Sequence, residues 1–359
     1  MNKLNTEQKE ALEALKTHLK LFDSYLDDKE VQEIAINRLG ELMLWKNGQW
    51  IPEKVEGITY DYLDLIGRAL SNFCNKPYDR ENTSLSGYFP EGERLEMTHP
   101  PTAPEGLHYL NLRKSTGPAF KHEDLTKQGY YENVRHEYAI SMTEEERSLY
   151  SKHLTDDEKH LWKLAKENKW EEFIQYAVPT YQNIVVSGAT GSGKTAYCRS
   201  LIEMIDVDDR IITVEDTPEM PLPNHPNNNR LLYKKDPNSK EGATAKDVLH
   251  SVMRKTPKRV LLAELRGDET LYYLSGVLNS GHPGGITTTH ANTPTAAFSR
   301  LALLILMSEG GKSLDMETIM RLLKMTVNVV VQIEFVSDIA KRRVTAIYYD
   351  PMQRLALIS

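Results

Sequence analysis

The chain opens on a run whose apolar positions share one side of a helix. Leu12, Leu15, Leu19 and Phe22 recur at helical spacing over residues 5–22, and Asn5 followed by Gln8 supplies a capping box. The pattern then turns to alternation. Residues 31–36 read as a strand, 37–40 as a turn and 42–45 as a second strand, with Asn47-Gly48 as a tight hairpin before Gln49-Trp50-Ile51. Over 60–73 the helical period returns, with Leu63, Ile66, Leu70 and Phe73 on one face. Residues 93–97 and 108–112 read as later strands of the same sheet. In the second, Leu110 and Leu112 alternate with Tyr109, Asn111 and Arg113, so Arg113 leaves the face opposite the leucines. These elements predict an α+β domain over residues 1–115.

Over 116–175 the character changes. Charged runs such as Glu144-Glu145-Glu146-Arg147 and Asp156-Asp157-Glu158-Lys159 surround Trp162, Leu164, Trp170, Phe173 and Ile174. The stretch is too long for a simple loop and too aromatic for a disordered linker, so a helical interdomain linker packed on one or both domains is expected. From Val178 onward strand-like and helix-like runs alternate. That predicts an α/β domain over 176–359, with a mostly parallel sheet covered on both faces. The longest apolar stretch, residues 301–307, is far short of the roughly twenty residues that span a bilayer, and reads as a buried helix.

Residues 188–195 carry the strongest chemical signal. Gly188-Ala189-Thr190-Gly191-Ser192-Gly193-Lys194-Thr195 is a complete phosphate-binding loop, preceded by the apolar run Ile184-Val185-Val186 and followed from Ala196 by a helix-like run. Cys198, Leu201, Ile202 and Ile205 give that run one apolar face. The glycines let backbone N–H groups turn inward around phosphate oxygens, and the helix N-terminus adds its positive end. Lys194 is suited to the β- and γ-phosphates and is expected to be solvated without ligand. The Thr195 hydroxyl is suited to Mg²⁺. ATP with Mg²⁺ is the expected ligand.

Composition narrows the partners. The chain has 359 residues, net charge −7, and no long basic run, so nucleic acid is not the expected primary partner. Its two cysteines, Cys74 and Cys198, supply neither a zinc ligand set nor a disulfide framework, and are expected as buried thiols. No apolar signal segment follows the first residues. Membrane association is expected to be peripheral or through partners.

Three further strings end in chemistry. Residues 210–214 read as a strand closing on Glu215-Asp216-Thr217-Pro218-Glu219; carboxylates there can orient Mg²⁺ or a water, or merely cap a turn. Residues 260–264 read as an apolar strand ending in Glu264, where a carboxylate sits near the metal and the attacking water. Arg266 can pair with Glu264 or reach a phosphate, or be a surface ion pair. Residues 286–289 read as a β-branched strand with His290 at its end, either sensing the γ-phosphate or hydrogen-bonded structurally.

Taken in order, these strings resemble the Walker A, Asp box, Walker B and His box of secretion traffic ATPases. The wording Ala263-Glu-Leu-Arg-Gly267 and Ser280-Gly-His-Pro-Gly284 is most similar to the VirB-eleven-like ATPases of type IV secretion systems. Residues 31–41 are similar to that family's opening strand and turn, with Leu39 where a proline is common. The resemblance implies a RecA-like C-terminal domain behind a smaller N-terminal domain. It further implies a homohexameric, cytoplasmic ATP-hydrolysing motor at the inner face of the bacterial inner membrane, powering pilus biogenesis or substrate export. Other type IV secretion ATPases and inner-membrane components are its implied partners. Lys194, Glu215, Glu264, His290 and Arg266 become its implied catalytic residues, and Gly188 to Ala196 its nucleotide cradle. An N-domain arginine is implied to reach the phosphates, with Arg113 the best match and Arg94 the second. The long 116–175 stretch raises a domain-swapped ring. A pilus-retraction ATPase, a nucleic-acid translocase and a non-hydrolysing scaffold are the competing readings.

Overall fold

In the computed structural model, residues 5–46, 48–90, 92–114, 121–139, 141–234, 242–339 and 341–358 are described; Asn47 of the expected hairpin lies outside them. The chain divides into two units, Met1–Pro118 and Ala119–Ser359.

The first unit is built on a sheet of six strands: β1 Val31–Ile36, β2 Glu41–Lys46, β3 Gln49–Lys54, β4 Ser84–Tyr88, β5 Arg94–Thr98 and β6 Tyr109–Arg113, in the order β3-β2-β1-β6-β5-β4. Its pairs are antiparallel. The helices Thr6–Leu19 and Tyr60–Cys74 cover one face. Leu12, Leu15 and Leu19 meet Leu63, Ile66 and Leu70 there, over Ile34, Ile36, Leu110 and Leu112. The first helix starts at the expected capping box: Gln8 N donates to Asn5 Oδ1 at 2.7 Å and Asn5 N to Gln8 Oε1 at 3.2 Å. Glycine-containing β4 was not anticipated from the sequence.

The second unit has a sheet of eight strands. They are β7 Arg135–Glu137, β8 Ile184–Ser187, β9 Ile211–Glu215, β10 Asn228–Leu232, β11 Arg259–Leu262, β12 Ile286–Thr289, β13 Val329–Val336 and β14 Lys341–Tyr349. Their order is β10-β9-β11-β12-β8-β13-β14-β7. All neighbours are parallel except β13 and β14. Strands β8, β9, β11 and β12 are buried along their whole length, as a parallel sheet between two layers requires. One face packs on the phosphate-loop helix Lys194–Ile202 and on Phe173 and Ile174; the other packs on the helices Pro294–Met307 and Met316–Thr326. The 301–307 run lies in the first of these, although Leu303 and Met307 are exposed.

Residues 116–175 are more than a helical connection. Their described part contributes β7, which pairs in parallel with β14, and the helices His122–Lys127, Glu144–Ser151 and Asp156–Lys166. Trp170 and Phe173 are buried, and Phe173 meets Tyr349 edge-on at 5.0 Å. Arg147 pairs with Asp350 in the interior, and Arg354 with Glu158, which ties the segment to the end of the chain. The packing of the aromatics was expected from the sequence; strand β7, three residues long and polar, was not.

Candidate functional site

Strand β8 enters the sheet centre with Ile184, Val185 and Val186 buried, then turns at Gly188. A Cβ on Gly188 would stand 2.3 Å from the Ile333 carbonyl oxygen and 2.6 Å from Ser192 Oγ, so only glycine passes β13 here. Gly191 and Gly193 adopt φ of 77° and 101°, the left-handed region that curls the loop. Ala189, Thr190 and Gly191 form its exposed tip, and Gly193 caps the helix Lys194–Ile202. Lys194, Thr195 and Ala196 start that helix, whose own first turn carries no acidic side chain, so its positive end faces the loop.

Lys194 departs from the expectation of a solvated side chain. It is buried, and Nζ donates to the carbonyl oxygens of Gly188 at 2.8 Å and Ala189 at 2.9 Å, with His290 Nδ1 at 3.3 Å. The loop's own carbonyls hold the ammonium where phosphate oxygens would otherwise replace them.

Parallel strands bring the remaining groups to one edge. Leu262 stands level with Val214 and Thr287, and Thr289 with Ser187, so the residues just beyond each strand converge. His290 Nε2 lies 3.0 Å from Glu264 Oε1. Glu264 Oε2 accepts from Arg266 Nη2 at 2.6 Å, and Arg266 Nη1 donates to Asp216 Oδ2 at 2.8 Å. A single chain of contacts thus runs Lys194–His290–Glu264–Arg266–Asp216.

Burial pushes the His290 imidazole below its ordinary value. Lys194 and Arg266 add to this, against the charge of Glu264 and a hydrogen bond to the Gly188 backbone, and the balance favours the neutral ring. Its partners then assign the tautomer: Nε2–H donates to Glu264, and Nδ1 accepts from the Lys194 ammonium. Burial alone would raise the Glu264 carboxyl. The Arg266 hydrogen bond and the charges of Arg266, His290 and Lys194 together hold it below the ordinary glutamate value. The hydrogen bond to Glu264 raises Arg266.

The acidic string after β9 divides in an unexpected way. Glu215 is fully buried. Its carboxylate accepts from Thr213 Oγ1 at 2.8 Å, Glu219 N at 2.6 Å, Met220 N at 2.7 Å and Arg230 Nε at 3.4 Å. It shapes the following turn, and burial raises its pKa despite these donors. Glu219 is the carboxylate that meets the loop. Thr195 Oγ1 donates to Glu219 Oε2 at 3.2 Å, and Arg199 Nε donates to the Glu219 carbonyl at 2.7 Å. Sequence reasoning singled out Glu215 over Glu219 because nothing in the string tells which carboxylate turns back.

The loop fits a phosphate chain. It has a positive helix end, a glycine path that a Cβ would block, and a buried Ser192 hydroxyl without a hydrogen-bond partner among the described residues. Thr195 beside Glu219 suits Mg²⁺, a cation that is usually bound by one or two protein oxygens together with phosphates and waters.

In the first unit, Arg94 and Arg113 are direct cross-strand partners on β5 and β6, on the face opposite Leu95 and Leu112. Arg113 also stands across from Glu33 on β1, and Arg94 contacts Glu96 at 3.4 Å. Like charges placed opposite each other cost stability, and Glu33 and Glu96 beside them offset part of that cost.

The profile of the Type II/IV secretion system protein family matches residues 147–347. The type IV secretion system protein VirB11 of Brucella abortus is 36% identical over 343 residues, covering 95% of this chain and 91% of that protein. The chain belongs to the VirB11 family. Protein VirB11 of Rhizobium radiobacter is 32% identical, with 89% of this chain and 90% of that protein covered. The crystal structure of the VirB11 ATPase from the Brucella suis type IV secretion system, in complex with sulphate, matches with a TM-score of 0.54. There the identity is 34%, and 99% of each chain is covered. The pilus retraction motor PilT with bound ADP, 17% identical with a TM-score of 0.55, shares the fold. As the four boxes led one to expect, this VirB11-family chain is a secretion ATPase. Among the described residues, no helix is long and apolar enough to cross a membrane.

Proposed function

We propose that this ATPase hydrolyses ATP with Mg²⁺ at the 188–195 loop, as a subunit of a homohexameric ring at the cytoplasmic face of the bacterial inner membrane. The run of contacts from Lys194 to Asp216 carries the reading. It links a phosphate-binding cation to a neutral histidine and an ionised carboxylate on adjacent strand ends.

In this reading Lys194 leaves the loop carbonyls for the β- and γ-phosphates. Thr195, with Glu219 behind it, holds the metal. Mg²⁺ held there would offset the negative charge of the phosphates. Glu264 orients the attacking water and accepts its proton, and Arg266 and His290 fix that carboxylate. His290 touches both Lys194 and Glu264, so loss of the γ-phosphate is felt at the end of β12. Glu215 supports the Glu219 turn instead of acting on substrate. Arg113, with Arg94 opposite, supplies further charge to the phosphates. The resemblance supports the ring, a domain-swapped arrangement through residues 116–175, and docking to other type IV secretion ATPases and inner-membrane components.

The test is turnover by the full chain with Mg²⁺, with a chelator, and in Lys194→Ala. Hydrolysis is expected only in the first. Undiminished turnover in Lys194→Ala overturns the assignment. For the swapped ring, Lys194→Ala and Arg113→Ala chains are mixed. Recovered activity supports sites shared between subunits, and none in rings shown to be mixed argues against them.

A further inference from the structure

The carboxylate and imidazole groups gathered at the loop come from one side of β8. Strands β12, β11 and β9 lie on that side and deliver His290, Glu264, Asp216 and Glu219. On the other side lie β13 and β14, and from β14 Arg342 reaches back over the loop. Its Nε donates to the Gly191 carbonyl at 3.3 Å. Its Cδ occupies the space beside Gly193, 2.7 Å from where a Cβ would stand, with Tyr130 Oη 3.7 Å from the same point.

This placement is buttressed. Val344 N donates to the Tyr130 carbonyl at 2.9 Å, and Arg343 pairs with Glu132, so the 130–132 turn and the start of β14 form one piece. Tyr130 stacks parallel to Tyr197 of the loop helix, with ring centroids 6.4 Å apart. Arg342 also stands opposite Phe335 on β13, its guanidinium 5.9 Å from that ring's centroid.

The direction of the nucleotide follows from the asymmetry. A bound nucleotide would place its β-phosphate in the loop and its γ-phosphate beside the carboxylates and His290. Its α-phosphate and ribose would then leave toward β14, away from those carboxylates. We propose that Arg342 is a nucleotide-binding residue that contacts the α-phosphate end while its Nε holds the loop carbonyl. The inference rests on ATP binding at the 188–195 loop.

Arg342→Met keeps the aliphatic stem against Gly193 and removes the charge. The probes are ATP turnover, ADP binding, and displacement of ADP by inorganic phosphate or pyrophosphate, of which only pyrophosphate can also fill the α-position. KM for ATP and Kd for ADP are expected to rise together by about tenfold, the loss of one charge-assisted contact, while kcat changes far less and inorganic phosphate affinity holds. Unchanged ADP affinity overturns the inference. So does an equal loss for ADP and inorganic phosphate, which would leave Arg342 shaping the loop alone. Failure of the parent chain to bind ADP refutes the nucleotide site itself. If Arg342→Met does not fold, Arg342→Lys decides: it keeps stem and charge, and is expected to weaken ADP more than inorganic phosphate. Equal effects of Arg342→Lys on the two ligands overturn the inference.

Discussion

His290 and Glu264 meet at 3.0 Å across the ends of two neighbouring strands, and the same imidazole stands 3.3 Å from the Lys194 ammonium. A neutral ring suits this place. It can donate a hydrogen bond to the carboxylate while accepting one from the ammonium, which an imidazolium cannot do. The ammonium and the carboxylate are thereby coupled through one side chain.

Replacing Glu264 separates binding from chemistry. Glu264→Gln keeps an oxygen for His290 and removes the charge held by Arg266. ATP binding is expected to persist, with turnover lower by roughly 10²–10⁴. Equilibrium binding and single-turnover rates measured on one preparation check this. Parallel loss of both would make Glu264 a metal or structural residue.

The two glutamates of the Asp box are expected to fail differently. Glu219→Gln touches Thr195 from an exposed loop and should lower Mg²⁺-dependent turnover with little change in melting temperature. Glu215→Gln puts a neutral amide among buried donors to the carboxylate and should destabilise the unit by about 1–3 kcal/mol. Urea unfolding beside turnover distinguishes them, and a stable, inactive Glu215→Gln protein would contradict the division.

Arg113 tests the contribution of the first unit. If Arg113 serves the γ-phosphate as proposed, Arg113→Ala is expected to weaken ATP more than ADP. Equal loss for the two nucleotides refutes that role. The Arg94→Ala variant shows whether its cross-strand partner carries part of the same charge.

A pH dependence of stability follows from His122. Burial lowers its pKa from 6.5 to about 4, with Tyr131 Oη at 3.3 Å from Nε2 and Tyr131 itself 2.6 Å from Tyr197. Between those values the unfolded chain binds a proton that the folded chain excludes. Stability therefore rises with pH across that window, by at most about 1.4 kcal/mol per unit, and is fully present above it. Urea unfolding at about pH 5 and about pH 7 should show a shallower difference in His122→Gln than in the parent chain. Identical differences would remove His122 from the account.

Much was legible in the sequence because it is local. The phosphate loop is a contiguous string whose glycines and lysine act within eight residues of one another, and the Asn5–Gln8 cap closes over three. Alternation placed Arg113 opposite Leu110 and Leu112, because β6 has one buried face. Strand β9 is buried throughout, so the alternation that would orient Glu215 is missing. Only the turn beyond it put Glu215 inside and Glu219 against Thr195. Tertiary structure likewise decided where Lys194 rests, that β7 from the charged segment joins the large sheet, and that Arg342 reaches the loop from β14. Each of these is a contact between segments far apart in sequence. Local periodicity reports the face a residue takes, while its neighbour across the sheet is set by strand order.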